Sequence, residues 1–543
     1  MQVDERNFPP PGCPFVLAPA QGAAYPRELT VNKKLAGFSL LLVVLVILPT
    51  LLAAQTPDRP VGIFEGESDI GVTLHPGATV YDATAKSYTI TAAGENMWLA
   101  TDAFHFVWKK AAGDIAITSD IRFPKPGGSE HRKAALIFRQ DLDADGVYAD
   151  AALHGSGMTA LQYRMEKTTP TRDIEFNIDA PVRLRLEKRG DLFTLYLSNK
   201  GEPLHPAGAA IKLHLEGNFY AGLGVCSHNK DVTETAVFAN LSIEPLDPPA
   251  TDKTVLYSTL QSLSIEPDFR RAIVAYAAQG YFEASNWSHD GQSLIFDQGG
   301  KIMTVPVDGG TPKALEIGGL TSCTGSHGFS PDGKWLAVSC KPAEGSPLTP
   351  AVRVFVVPAS GGAPRLVTEH PNSYWHSWSP DGKTILFTRP VDGSLNIWSI
   401  PAAGGEEVQV TQGKGISDDP DYSGDGKYIY FNSDRGGAYM QIWRMLADGT
   451  KPEQVTFDQR NNWTPHPSPD GKWVVYLSYD KDTKGHPSNK DIKLQLMSAG
   501  EGKVSTLVDL VGGNGSFNVP SWAPDSHHLS YVSYELIPDG GGN

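Results

Sequence analysis

Three histidines, His327, His376 and His466, each stand two or three residues ahead of a serine that opens a Ser-Pro-Asp-Gly tetrapeptide. In the same register come Glu283, Ser285 and Asn286; Ser326; Asp418, Asp419 and Asp421; Asn461 and Asn462; and Asn518. Imidazoles and carboxylates are the side chains that ligate divalent metals and carry protons. One such histidine alone reads as a satisfied structural residue; several converging on an axis with carboxylates read as a binding site. A second set, His154, Gln162 and Arg164, falls on neighbouring strands and lines either a concave polar face or a solvated sheet surface. A third, His486, Asn489, Lys490 and Asp491, lies in one long loop that either overhangs the same axis or is simply solvated.

These residues need a scaffold that repeats. The tetrapeptides Ser288-HDG, Ser330-PDG, Ser379-PDG, Ser423-GDG, Ser468-PDG and the decayed Ala523-PDS start 42, 49, 44, 45 and 55 residues apart. That is close to the roughly 40 to 50 residues of one four-stranded propeller blade. Asp-Gly supplies a positive-φ turn, an aromatic residue precedes most copies, and alternating strands follow, as in Lys472-WVVYL. Each unit therefore reads as strand, Ser-Pro-Asp-Gly turn, strand, loop, strand, Gly-Gly turn, strand. At about 3.3 Å per residue, a side chain three positions before the serine sits some 10 Å up the innermost strand, in the channel or its upper funnel. The blade-five loop, Lys484-GHPSNKD, is the longest by spacing and belongs to the same face. Only one strand, His528-LSYVSYEL, follows the last motif, and the missing pair appears ahead of the first as Leu260-QSLSIE and Ala272-IVAYAA. Circular closure of this kind leaves no free edge and predicts six blades over residues 253–538.

Residues 56–247 alternate with period two, for example at Leu184 and Leu186 and at Phe193, Leu195 and Leu197, with no helical stripe. They predict an all-β jelly-roll sandwich, joined to the propeller through a linker at 248–252. Residues 1–54 hold the apolar run Leu35 to Leu52 behind Arg27, Lys33 and Lys34. That pattern predicts export, with the segment either cleaved as a signal peptide or kept as an N-terminal anchor. The net charge of −15 argues against nucleic acid and against anionic membranes, leaving membrane contact to the N-terminal segment alone. In an exported chain Cys323 and Cys340 flank one turn closely enough for a disulfide if a bulge corrects a two-residue mismatch; two free thiols are the alternative. Asp141-LDADG resembles half of a calcium loop, but its twelfth position is Ala152 where a bidentate Glu belongs, so a polar hairpin is the simpler reading. Arg189-Gly190-Asp191 likewise reads as a turn.

The repeated motif followed by an Asn/Asp-Ile-Trp/Tyr strand and a Gly-Gly turn resembles the TolB-like β-propeller family, over just over half of the chain. That resemblance implies a periplasmic propeller engaged in protein contacts of the cell envelope. The stretches Lys133-AALIFRQ, His154-GSGMTALQYR and Val237-FANLSIEP resemble concanavalin or laminin-G-like jelly rolls, often sugar-binding. The funnel is also similar to that of the oligogalacturonate lyases, which implies a divalent metal on His327, His376 and His466 and β-elimination of uronate sugars. No Gly-x-Ser-x-Gly elbow exists, which excludes a propeller-linked serine hydrolase. Two functions follow: an exported, non-catalytic binding protein for a glycan or an envelope protein, which is favoured, or a metal-dependent lyase. No cofactor is required, and a divalent metal in the channel is the one candidate.

Overall fold

The computed structural model describes residues 60–176, 178, 180–248, 254–266 and 271–538. The segment predicted to direct export, residues 1–54, and residues 249–252 of the expected linker lie outside these. Every regular element among the described residues is a strand.

Five four-stranded antiparallel sheets follow in chain order. Their innermost strands are Phe282–Trp287, His327–Phe329, Tyr374–Trp378, Ser417–Tyr422 and Asn461–Pro467, and they define blades one to five. The motif explains each hairpin chemically. The serine hydroxyl donates to the aspartate Oδ1 at 2.6–2.8 Å and accepts the backbone N–H five residues on at 2.9–3.0 Å. The glycine then takes a left-handed φ, 67° at Gly333, where a Cβ would be strained. In the decayed copy Ser526, at φ 62°, occupies the glycine position, and Asp525 caps the N–H groups of His527 and His528.

The innermost strands are not regular. In blades one, three, four and five each slips one residue against its neighbour, between Glu283 and Asn286, Trp375 and Ser377, Asp418 and Asp421, and Trp463 and His466. Ala284, Asp419 and Thr464 carry the extra residue in left-handed φ. A bulge of this kind re-aims the side chains around it. Blade two makes its own correction, because His327 faces Val338 while Thr321 bridges Lys341. This shift brings Cys323 to Cys340, and the two form a disulfide.

Thr254–Ser264 pairs along its whole length with His528–Pro538 and, on its other side, with Arg271–Gln279. The sequence brings these three strands together, but the sheet does not stop there. Arg271 to Val274 runs parallel to Asp173 to Phe176, so one ten-stranded sheet extends through Arg172–Phe176, Thr159–Arg164, Tyr148–His154 and Lys133–Arg139 to Gly66–Ile70. A seven-stranded sheet, with Arg183–Arg189 and Ile115–Arg122 near its centre, packs against it. Leu136, Phe138, Leu161 and Ile174 from the first sheet and Ile117, Leu186, Leu195 and Phe238 from the second share one core. Alternation therefore turns Asp150, Gln162, Arg164 and Asp173 to the opposite face of the large sheet. Two motifs resolve as turns: Lys167 bridges Asp141 and Asp143, and Arg189 pairs with Leu192 around Gly190.

Candidate functional site

The bulges of blades three to five concentrate polar groups at one place on the propeller axis. His376 donates to or accepts from Thr388 Oγ1 through Nε2 at 2.9 Å. Asp418 Oδ1 lies 3.4 Å from the same nitrogen, and Asp419 Oδ1 lies 3.5 Å from Nδ1. One ligand atom from each of His376, Asp418 and Asp419 falls within 4.8 Å of the others. All three residues are buried. His376 Nδ1, Asp418 Oδ1 and Asp419 Oδ2 have no hydrogen-bond partner. Burial pushes the His376 ring down to about 4 despite the pull of Asp418, so its imidazole is neutral at pH 7. Burial, reinforced by the charge of Asp418, holds the Asp419 carboxyl well above the usual range.

His466 joins from blade five, its Nδ1 3.1 Å from Asp421 Oδ2 and its Nε2 buried without a partner. Burial raises the Asp421 carboxyl, and the His466 bond opposes that rise. His486 folds in from the long loop to lie 4.4 Å from the Trp463 ring. A neutral imidazole beside two carboxylates is a mixed nitrogen and oxygen donor set. It suits a divalent ion such as Mn2+ or Zn2+ better than oxygen-seeking Ca2+.

The three histidines do not form one ligand set. His327 is fully buried in blade two, with neither ring nitrogen partnered, and burial pushes it down to about 4. Glu283 is committed to Tyr281 Oη and the Gly325 N–H, Asn518 to the Gly515 N–H and Asn514. Asn461 and Asn462 hold backbone carbonyls and Ser478. The Asn286 amide and the Ser285 carbonyl tie to Pro520 and Ser521. Lys490 is exposed, and Asp491 turns away from the axis to pair with Lys212 of the seven-stranded sheet. Thr388, which orients His376, and Trp463, which supports His486, were not legible in the motif pattern because both act from ordinary strand positions.

His154, Gln162 and Arg164 do occupy neighbouring strands, but none is solvated. Arg164 is fully buried, its guanidinium on Asp102 at 2.6 and 2.8 Å, and Arg139 meets the same carboxylate at 2.7 Å. Desolvating Arg164 is compensated by these bonds, a structural role that a sequence reading of polar strands misses.

Bladed sheets built on a repeated Ser-Pro-Asp-Gly turn around a polar axis define an all-β propeller protein. Residues 353–535 match the TolB beta propeller domain family. The chain is 42% identical over 266 residues, 49% of its length and 89% of the relative's, to the Agrobacterium fabrum protein named "Uncharacterized protein Atu1656". It belongs to the TolB-like β-propeller family. It is also 24% identical to the Tol-Pal system protein TolB of Francisella tularensis subsp. mediasiatica, covering 47% of this chain and 57% of that one. A solved structure assigned to TolB from Agrobacterium tumefaciens is similar at 40% identity and TM-score 0.49, over 52% of this chain and 99% of that one.

Proposed function

We propose that the chain is an exported cell-envelope binding protein, periplasmic or extracellular, whose propeller offers a cation-holding axial site to a protein partner. The observation that carries this reading is the buried set His376, Asp418 and Asp419, whose Nδ1, Oδ1 and Oδ2 atoms respectively have no hydrogen-bond partner. A relative named for the Tol-Pal system supports a protein as the partner. Membrane contact is confined to the N-terminal segment. The propeller has six blades, the last made of residues 516–523 with His528–Pro538, Thr254–Ser264 and Arg271–Gln279. Hydrogen bonds from Ser521 Oγ to the Ser285 carbonyl and from Ala284 N–H to the Gly515 carbonyl support that closure. The two packed N-terminal sheets are a jelly-roll sandwich of the concanavalin or laminin-G kind, and a glycan suits them better than it suits the propeller. The lyase reading needs His327, His376 and His466 on one ion, whereas the ligand atoms grouped within 4.8 Å at His376 come from Asp418 and Asp419.

Calorimetric titration of the full chain with Mn2+ and Zn2+ tests the site. One ion per chain is expected, lost in the D418N/D419N double variant. Absence of binding, or binding that survives both substitutions, contradicts it.

A further inference from the structure

At one end of the two packed N-terminal sheets the shared core is left open. Ile121 and Leu153 belong to that core, and Phe123 packs against it. Val182 continues the inward row of Leu184 and Leu186 one step further, where it is 41% exposed. These four apolar side chains and Val237 line a cleft of about 790 Å3. That volume falls within the roughly 300–1,000 Å3 of small-molecule sites.

Backbone hydrogen bonds fix the walls. In the turn that follows Tyr148–His154, Gly155 N–H donates to the Arg132 carbonyl at 2.8 Å and Ser156 N–H to the Glu130 carbonyl at 2.9 Å. The Gly157 carbonyl accepts the Ala180 N–H at 2.7 Å, and the Val182 carbonyl accepts the Ile121 N–H at 3.1 Å. Buried Arg132 holds the segment from Phe123 to Pro126: its guanidinium lies 4.3 Å from the Phe123 ring and donates to the Lys125 carbonyl at 3.1 Å and to Glu234 at 2.8 Å. A cleft held this way spares a ligand the cost of ordering its site.

The charges around the cleft select the occupant. Arg122 and Lys125 line it, both exposed, and among the described residues neither side chain meets a carboxylate. Asp120 is the one acid among the described residues that lines it, and it is engaged by Arg183 Nε at 2.5 Å and Asn240 Nδ2 at 2.7 Å. Two free cations beside apolar walls, on a chain of net charge −15, match a ligand with an apolar body and one anionic group. Pro124, Pro126 and Pro181 bring no N–H to the walls, which weighs against an extended peptide or a polyhydroxyl ligand. The overall negative charge weighs against an anionic bilayer as the source of the chain. We propose that this cleft binds one free long-chain carboxylate of the fatty-acid type, its acyl chain along Ile121, Phe123, Leu153 and Val182 and its carboxylate on Arg122 and Lys125. Neither His376 nor Asp418 lines the cleft, so it and the axial site stand or fall separately.

Calorimetric titration of the full chain with dodecanoate and decanoate, each below its micellar concentration, tests the proposal. One dodecanoate per chain is expected, with decanoate roughly tenfold weaker for its two fewer methylenes. Affinity for dodecanoate should fall tenfold or more in V182D, which sets a charge among the apolar walls, and in R122E/K125E, which reverses the charges offered to the carboxylate. All three positions are exposed, so both variants are expected to fold, and their Mn2+ and Zn2+ titrations should match wild type. Absence of saturable dodecanoate binding overturns the assignment. So does an affinity unchanged in either variant, the result expected if the apolar run Leu35 to Leu52 took up the chain instead.

Discussion

Ser330 shows what one hydroxyl contributes to a blade. It donates to Asp332 and accepts the Trp335 N–H, so Ser330→Ala removes two hydrogen bonds and leaves the Trp335 N–H without its acceptor. A loss of about 1–2 kcal/mol is expected, read as a lower denaturant midpoint with unchanged slope. Asp102 is a harsher case, because its neutralisation leaves two buried guanidiniums short of a counter-charge. Asp102→Asn should cost about 3–5 kcal/mol by the same measurement. Cys323 and Cys340 should be recovered as one linked peptide from unreduced protein, and reduction should destabilise the chain by at most about 3 kcal/mol, given their separation of 17 residues. At this scale the sequence was partly legible. His376 and His327 both stand three residues before a motif serine, and nothing local separates them. The difference is tertiary: blade four supplies Asp418 and Asp419 beside His376, while His327 stays enclosed in its own blade without a partner.

Among elements, hairpins were legible because Asp-Gly turns write their own conformation, and bulges were not, because one extra residue leaves no compositional mark. Yet the bulge at Asp419 is what brings its carboxylate and that of Asp418 beside His376. The strand His528–Pro538 carries a second consequence. Its Glu535 accepts a hydrogen bond from Thr194 of the seven-stranded sheet at 2.5 Å, and burial pushes its carboxyl up to about 7. As pH rises past the ordinary carboxylate range, the unfolded chain releases this proton first. The folded state therefore loses stability until the pH passes about 7. Glu535→Gln keeps the acceptor without the charge. It should melt with wild type near pH 4 and above wild type at pH 8, measured by calorimetry.

At the scale of the whole molecule, the parallel pairing of Arg271 with Asp173 joins the N-terminal sheet to the propeller strands. No sequence signal announces it, since parallel strands a hundred residues apart share no turn. The pairing of Thr254–Ser264 with His528–Pro538 and with Arg271–Gln279, by contrast, was legible from strand counting alone. The two parts also meet at Thr194 with Glu535 and at Lys212 with Asp491.

The axial face, and not the Ser-Pro-Asp-Gly face, is the one that meets a partner in this account. A photo-crosslinking residue placed at exposed Lys484, on the loop whose His486 packs over Trp463, and separately at exposed Lys383, in a motif turn, compares the two faces in producing cells. Discrete protein adducts are expected from position 484, not from 383, and they should diminish when Asp418 and Asp419 are both changed to Asn. Adducts from 383 alone, or from neither position, contradict the account.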